Sequence, residues 1–481
     1  MILTKTDRLM RNRYITLIVA MLLLPIMAGA QALKGSYFLD NSLYRNRLNP
    51  AFAPRAGYFS LPVISNFGVG VHGNVGPADF LYPRNGELLT FLHQDVSVAE
   101  FSKNLPKRPV IDLDVDTDIL NFGFYTAKDS FWSFDLGLRV DGQVGMPRDL
   151  FMFMKQGMGG PEAKYSLNGF DIYQTSSIYA AVGHSHDFSW LVKGLKAGAK
   201  LRFFFPIEHI GMTLGNSAIS MSQDQWKVNT DAYGVLAASF MELNPEALNG
   251  DTEADLLNFN ASNIGLAGFG FAFDLGAEYK LNIGSVVDGL TFSLSALDLG
   301  GYFFGKSKVQ GFESKGEVVY EGMKDIEIGG EGGMGDGLDA LMDEFLALAN
   351  LQESAMPRYH TIGTRAKLYA GVEYPFLKDM MSVGLLYSGK FGYSKMLNEL
   401  TLSYNLNPCK WFNLGLNWSF LNAYKTLGWM MEFTPKAGVN FFIGSDYTFF
   451  QVMPKMFLPV DKLWVNARFG LSFMIGSKWH E

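Results

Sequence analysis

Residues 411–420 read WFNLGLNWSF. Phe412, Leu414, Leu416, Trp418 and Phe420 alternate with Asn413, Gly415, Asn417 and Ser419. Successive side chains of a strand point to opposite faces, so this stretch has one greasy face and one small, polar face. The pattern recurs along the chain. In 132–146, Trp132, Phe134, Leu136, Leu138, Val140 and Val144 oppose Ser133, Asp135, Arg139, Asp141 and Gln143. In 266–281, Phe269, Phe271, Phe273, Leu275 and Tyr279 oppose Asp274, Glu278 and Lys280. In 365–374 the polar set is Arg365, Lys367 and Glu373, and in 466–476 it includes Asn466 and Arg468. Similar segments lie near 57–73, 110–126, 170–183, 195–206, 209–222, 228–240, 290–303, 380–391, 398–406 and 428–442.

Each segment is about ten residues long, the length of a tilted membrane strand. Repeated polar-in, apolar-out segments predict an all-β, single-chain antiparallel transmembrane barrel of about 14 strands, with twelve or sixteen also compatible with even numbering. The charged residues named above, with Asn413 and Asn417, are then candidates for lining the lumen. A soluble sandwich would place Lys, Glu and Thr on its outward faces. Here one set of faces is Phe, Leu and Trp, and the other is Gly, Asn and Ser with scattered charges.

Composition agrees. The chain has 481 residues, whereas soluble cores usually split beyond about 250–300. Only 18% of its residues are charged, against about 25% in soluble domains. The net charge of −7 excludes the basic footprint that nucleic acid demands. The single cysteine, Cys409, permits no internal disulfide.

The first 30 residues read as an address. Basic residues end at Arg13, an apolar run follows, and Ala28-Gly29-Ala30 fits a signal-peptide cleavage site. The mature chain is expected to begin at Gln31 in a Gram-negative envelope and to fractionate with the outer membrane. N-terminal sequencing should read Gln31, and a chain that still begins at Met1 would contradict this. No later run approaches the roughly 18 apolar residues of a membrane helix.

Segments 85–105, 244–260 and 335–353 break the strand rhythm with apolar residues at helical spacing. Ser97 and Glu100 suggest a capping box. A shorter helical candidate spans 147–160. The expected topology puts both termini in the periplasm, and these insertions outside or in the barrel mouth.

Chemical motifs are sparse. Asp112, Asp114, Asp116 and Asp118 fall on one strand face. Four carboxylates repel unless cations screen them, so the face suggests a calcium-type ion site or a watery lumen. His184 and His186 share one side of a strand, a spacing that can bind zinc, but the plainer reading of HSHDF is a polar turn between two strands. The Gly-rich 329–337 has no following Lys and is not a phosphate-binding loop. Nothing supports an enzyme, a cofactor or a resident metal.

The blocks SLYRNRLNPAF, DILNFGF, MPRDLFMFMKQG, GLKAGAKLRFFFPIEHI, PRYHTIGTRAKLYAGVEYPF and GVNFFIGSDYTFF occur in this order. Together they resemble a family of Bacteroidota outer-membrane proteins of unknown function. That resemblance covers nearly the whole mature chain and implies a porin-like barrel without catalytic residues. Asn49-Pro50-Ala51-Phe52 also resembles the opening of barrels that accompany type IX secretion and of long-chain fatty-acid-transporter-like barrels.

Two functions share such a wall. One is a channel or transporter of small or apolar molecules. The other is a non-conducting accessory barrel of a protein-secretion or surface-assembly complex. The expected partners are outer-membrane lipid and, for the second function, other envelope or secretion proteins.

Overall fold

The computed structural model describes residues 33–475, except 61–65, 245–256, 322–351, 355–359, 421–425 and shorter stretches in turns. The expected signal peptide and most of the insertions at 244–260 and 335–353 lie outside the described residues.

Fourteen antiparallel strands close into a barrel. The wall runs β1 (Gly57–Ser60 and Phe67–Gly73), β2 (Val110–Ala127), β3 (Ser130–Gly145), β4 (Asp171–Asp187), β5 (Leu195–Leu214), β6 (Gly268–Lys280) and β7 (Thr291–Phe304). It continues through β8 (Lys367–Phe376), β9 (Met381–Phe391), β10 (Met396–Cys409), β11 (Phe412–Ser419), β12 (Thr426–Phe433), β13 (Val439–Thr448) and β14 (Trp464–Ile475). β14 pairs with both pieces of β1 and seals the ring. Closure leaves no open edge, which a membrane demands of any sheet.

The two ends differ. Short turns join β2–β3, β4–β5, β6–β7, β8–β9, β10–β11 and β12–β13, and β1 starts and β14 finishes at this end. The opposite end carries the long insertions. There the outer half of β5 leaves β6 and pairs with Gln225–Ala238, which pairs in turn with Val309–Glu321. Pro206 stands at the fork. It has no N–H to donate, but its carbonyl accepts from Ala267 N at 2.7 Å.

The insertion at 85–105 is not all helix. Leu81–Arg84 and Glu87–Thr90 form a hairpin, and only Val98–Asn104 is helical. Gly86, just before the second strand, has φ +90°, which glycine adopts without a Cβ penalty. Ser97 accepts from Glu100 N at 3.1 Å and starts the helix. A second helix, Arg148–Gln156, ends at Gly157 with φ +54°. Phe101 and Phe151 pack both helices into one apolar cap with Val75, Tyr82 and Phe91.

Phe412, Leu414, Leu416 and Trp418 face outward, whereas Asn413, Gly415, Asn417 and Ser419 are buried inside. Leu416 lies mid-strand, so Leu416→Arg should cost about 2–4 kcal/mol in a bilayer. The check is folding into lipid vesicles, read as heat-sensitive gel mobility; unimpaired folding would mean the faces are reversed. Asn417→Arg would be mild in a wet lumen, but Gly35 packs against the Asn417 amide. An arginine there has to displace the segment that fills the barrel.

Candidate functional site

That segment is residues 33–56, most of whose described residues lie buried inside the barrel, Asp40 and Arg55 being exposed. Two short 3-10 turns, Lys34–Ser36 and Arg45–Arg47, shape it. It joins the wall through side chains. Asp446 accepts from Lys34 N at 2.9 Å and Gly35 N at 3.0 Å. The Lys34 ammonium is paired with Glu399, which also accepts from the Tyr447 hydroxyl at 2.7 Å. The Asn49 amide donates to the Ala277 carbonyl at 3.1 Å and the Leu294 carbonyl at 3.3 Å.

The small inward-facing wall residues now have a reason. A Cβ on Gly276 would stand 2.0 Å from Asn49 Oδ1 and 2.8 Å from Pro50, and one on Gly415 would stand 2.8 Å from the Gly35 carbonyl. Only glycine lets the segment approach this closely.

Below and beside the segment is a network of charges. Arg47 is paired with Asp118 and lies 3.1 Å from Asp116. Burial disfavours the charged form of Arg47, but Asp118, Tyr179, Asp116 and Asp135 around it together outweigh this and hold its pKa above the ordinary range. Lys200 reaches Asp135 at 2.6 Å. Arg139 binds Asp298 through two contacts of 2.9 and 2.7 Å and lies 3.1 Å from Asp141. Arg202 joins Asp274 at 2.8 Å and Asp298 at 3.5 Å, and Lys367 is 3.5 Å from Asp298. A cavity of about 40 Å³ lies among Arg47, Asp116, Arg139, Arg202, Asp298 and Lys367. It has room for a few waters.

Most of the sequence-predicted lining residues fall on this inner face. Asp135, Arg139, Asp141, Asp274, Glu278, Arg365, Lys367, Glu373, Asn413, Asn417 and Arg468 are all buried. Lys280, at the end of β6, is half-buried at the short-turn end. The four aspartates of β2 also face inward, and protein cations meet each of them. Arg365 pairs with Asp112, Lys390 with Asp114, Arg47 and Arg468 with Asp116, and Arg47 with Asp118. Among the described residues, no three His, Cys, Asp or Glu side chains are grouped to hold a metal ion. His184 and His186 point to the outer face of β4, their rings 6.0 Å apart, with Trp132 4.5 Å from His184. Ser185 points inward and donates to the Ala51 carbonyl at 3.0 Å.

Alternation alone misses Asp298. It would place that side chain on the face of Phe292 and Leu294, toward lipid. A bulge between Phe273/Leu275 and the facing stretch of β7 breaks the register. Asp298 adopts φ +57° and turns inward, a common use of bulges. The available signal was a carboxylate on an otherwise apolar face just before Gly300-Gly301.

The sequence matches the model of a family of unknown function, DUF5723, over residues 50–446. The chain belongs to that family. No curated protein matches this DUF5723 chain. Among solved structures it is similar to the toluene transporter TbuX of Ralstonia pickettii, with 10% identity, TM-score 0.41 and coverage of 91% of this chain and 95% of that one. It is similar to a FadL homologue of Pseudomonas aeruginosa, with 11% identity, TM-score 0.36 and coverage of 93% and 95%. It is also similar to the Pseudomonas putida toluene transporter TodX, with 8% identity, TM-score 0.29 and coverage of 92% and 93%.

Proposed function

We propose that this DUF5723 chain is an outer-membrane transporter of small apolar molecules, closed by its own residues 33–56. The observation that carries the closure is the mode of attachment. Side chains hold the segment to the wall, so it can leave without breaking the barrel's hydrogen-bond ladder. The apolar cargo is argued from the long-loop end. There Phe153, Tyr165, Phe170, Met212, Met221 and Met241 cluster, with Met146, Met152, Met158 and Trp226 against them. Methionine is polarizable and adaptable, and it suits binding surfaces that must repack around varied apolar shapes.

A second reading is favoured by the filled lumen: a non-conducting accessory barrel that works through envelope or secretion partners. Whole-cell uptake separates the two. Gram-negative cells expressing the chain should take up a labelled small aromatic hydrocarbon faster than vector controls, with a labelled sugar unchanged. If hydrocarbon uptake equals the control while a stoichiometric envelope protein co-purifies, the accessory reading replaces the transporter.

A further inference from the structure

The short-turn end is lopsided. Four successive connections, β4–β5, β6–β7, β8–β9 and β10–β11, carry large apolar side chains in the open. Trp190 is 75% exposed, Leu191 65%, Ile283 62%, Leu377 56% and Trp411 54%. The connections across the barrel differ among the described residues. β2–β3 presents Asp129 and β12–β13 presents Pro435 and Gly438. Outward aromatic residues near this end are found all round the wall, for example Phe124, Tyr374, Tyr404, Phe441 and Phe473, as expected of an interfacial girdle. Among the described residues, apolar turn tips extend past that girdle on this side, whereas on the opposite side exposed apolar surface at this end stops at Ile475, the last described residue of β14. Leu377 lies three residues beyond Tyr374, roughly 10 Å along the chain at strand rise.

We infer that the β4–β11 side of the barrel sits deeper than the opposite side, with its turn tips immersed in a phosphate-bearing lipid surface. Phe292 and Tyr374 stand exposed on the wall beside these turns, so one apolar medium would meet both wall and tips. Lys193 and Lys410 stand exposed among the tips and Lys280 half-exposed, placed to meet lipid phosphates. Two nearby carboxylates among the described residues are engaged within their own turns. Asp187 accepts from Ser189 N at 2.8 Å, and Asp288 accepts from Ile283 N at 2.7 Å. A tilted seat of this kind uses the amphipathic tips as interfacial helices use theirs.

This inference rests on the membrane-barrel reading, and the experiment tests the two separately. In a Cys409→Ser background, an NBD fluorophore is placed singly at Leu191→Cys, Ile283→Cys, Asp129→Cys, Pro435→Cys and, as the mid-wall reference, Leu416→Cys. The full chain is folded into vesicles containing phosphatidylglycerol. Lipids brominated near the headgroup should quench the Leu191 and Ile283 probes at least about twofold more than the Asp129 and Pro435 probes, as expected for tips seated in the interface. Aqueous iodide should show the reverse order. Equal iodide quenching at all four turn sites would overturn the inference. So would tips shielded from both quenchers, which would mean that a second copy of the chain covers them. If mid-chain brominated lipid fails to quench the Leu416 probe, the barrel reading itself falls, whatever the turn probes show.

Discussion

A chain lacking residues 33–52 will conduct ions in planar bilayers where the intact chain is silent. This segment occupies the lumen of the intact protein, and the cavities beside it among the described residues are small, about 40 and 30 Å³. Fourteen strands enclose more interior than an eight-stranded wall, whose side chains alone can fill it. Removing the segment should therefore leave a water-filled pore. The pore should favour cations. The deletion removes Lys34, Arg45 and Arg47 and, of the described residues' carboxylates, only Asp40. It strips the cation from Glu399 and from Asp118, and rings of such carboxylates select cations. Gly276→Leu is the companion variant, because any side chain there collides with Asn49 and Pro50. It should open the barrel while keeping the chain at full length. Heat-sensitive gel mobility verifies folding of both. If both variants fold and both stay silent, the luminal segment is not what closes the barrel.

The wall was legible in the sequence because lipid enforces it. Period-two alternation is a direct consequence of pleating beside hydrocarbon, and Leu416 and Asn417 took opposite faces as their neighbours required. The contents of the barrel were not legible. Residues 33–56 carry no strand or helix period; their arrangement follows from shape and charge supplied by distant residues, such as Glu399 for Lys34 and Gly276 for Pro50. The glycines that make room for the segment look, in a linear pattern, like any small residue on a polar face. The Asp112–Asp118 face suggested an ion site or a watery lumen, and in the structure protein cations meet its carboxylates. Its partners, Arg47, Arg365, Lys390 and Arg468, come from four separate regions of the chain, and strand spacing carries no information about pairs across a lumen. Asp298 was lost for a third reason. A bulge shifts phase by one residue, which inverts every face assignment on its far side.

Asp298→Asn should be the most destabilising conservative change in the barrel interior. The carboxylate is 2% exposed, and it faces Arg139, Arg202 and Lys367 within 3.5 Å. Asparagine keeps the shape and tolerates the positive φ of this position, so the change isolates the charge. Three buried cations then lose their shared counter-ion. Breaking a buried pair by removing one partner costs about 3–5 kcal/mol, because the remaining charge is uncompensated. Asp274 and Asp141 stay close to Arg202 and Arg139 and absorb part of the loss, so the expected value lies at the low end, about 3 kcal/mol. The urea midpoint of unfolding from lipid vesicles measures it. The paired variant Asp298→Asn with Lys367→Met should recover part of the loss, since it removes one of the stranded cations. A single-variant loss below about 1 kcal/mol, the scale of exposed ion pairs, would mean that water reaches the cluster and that the lumen is wet at this depth.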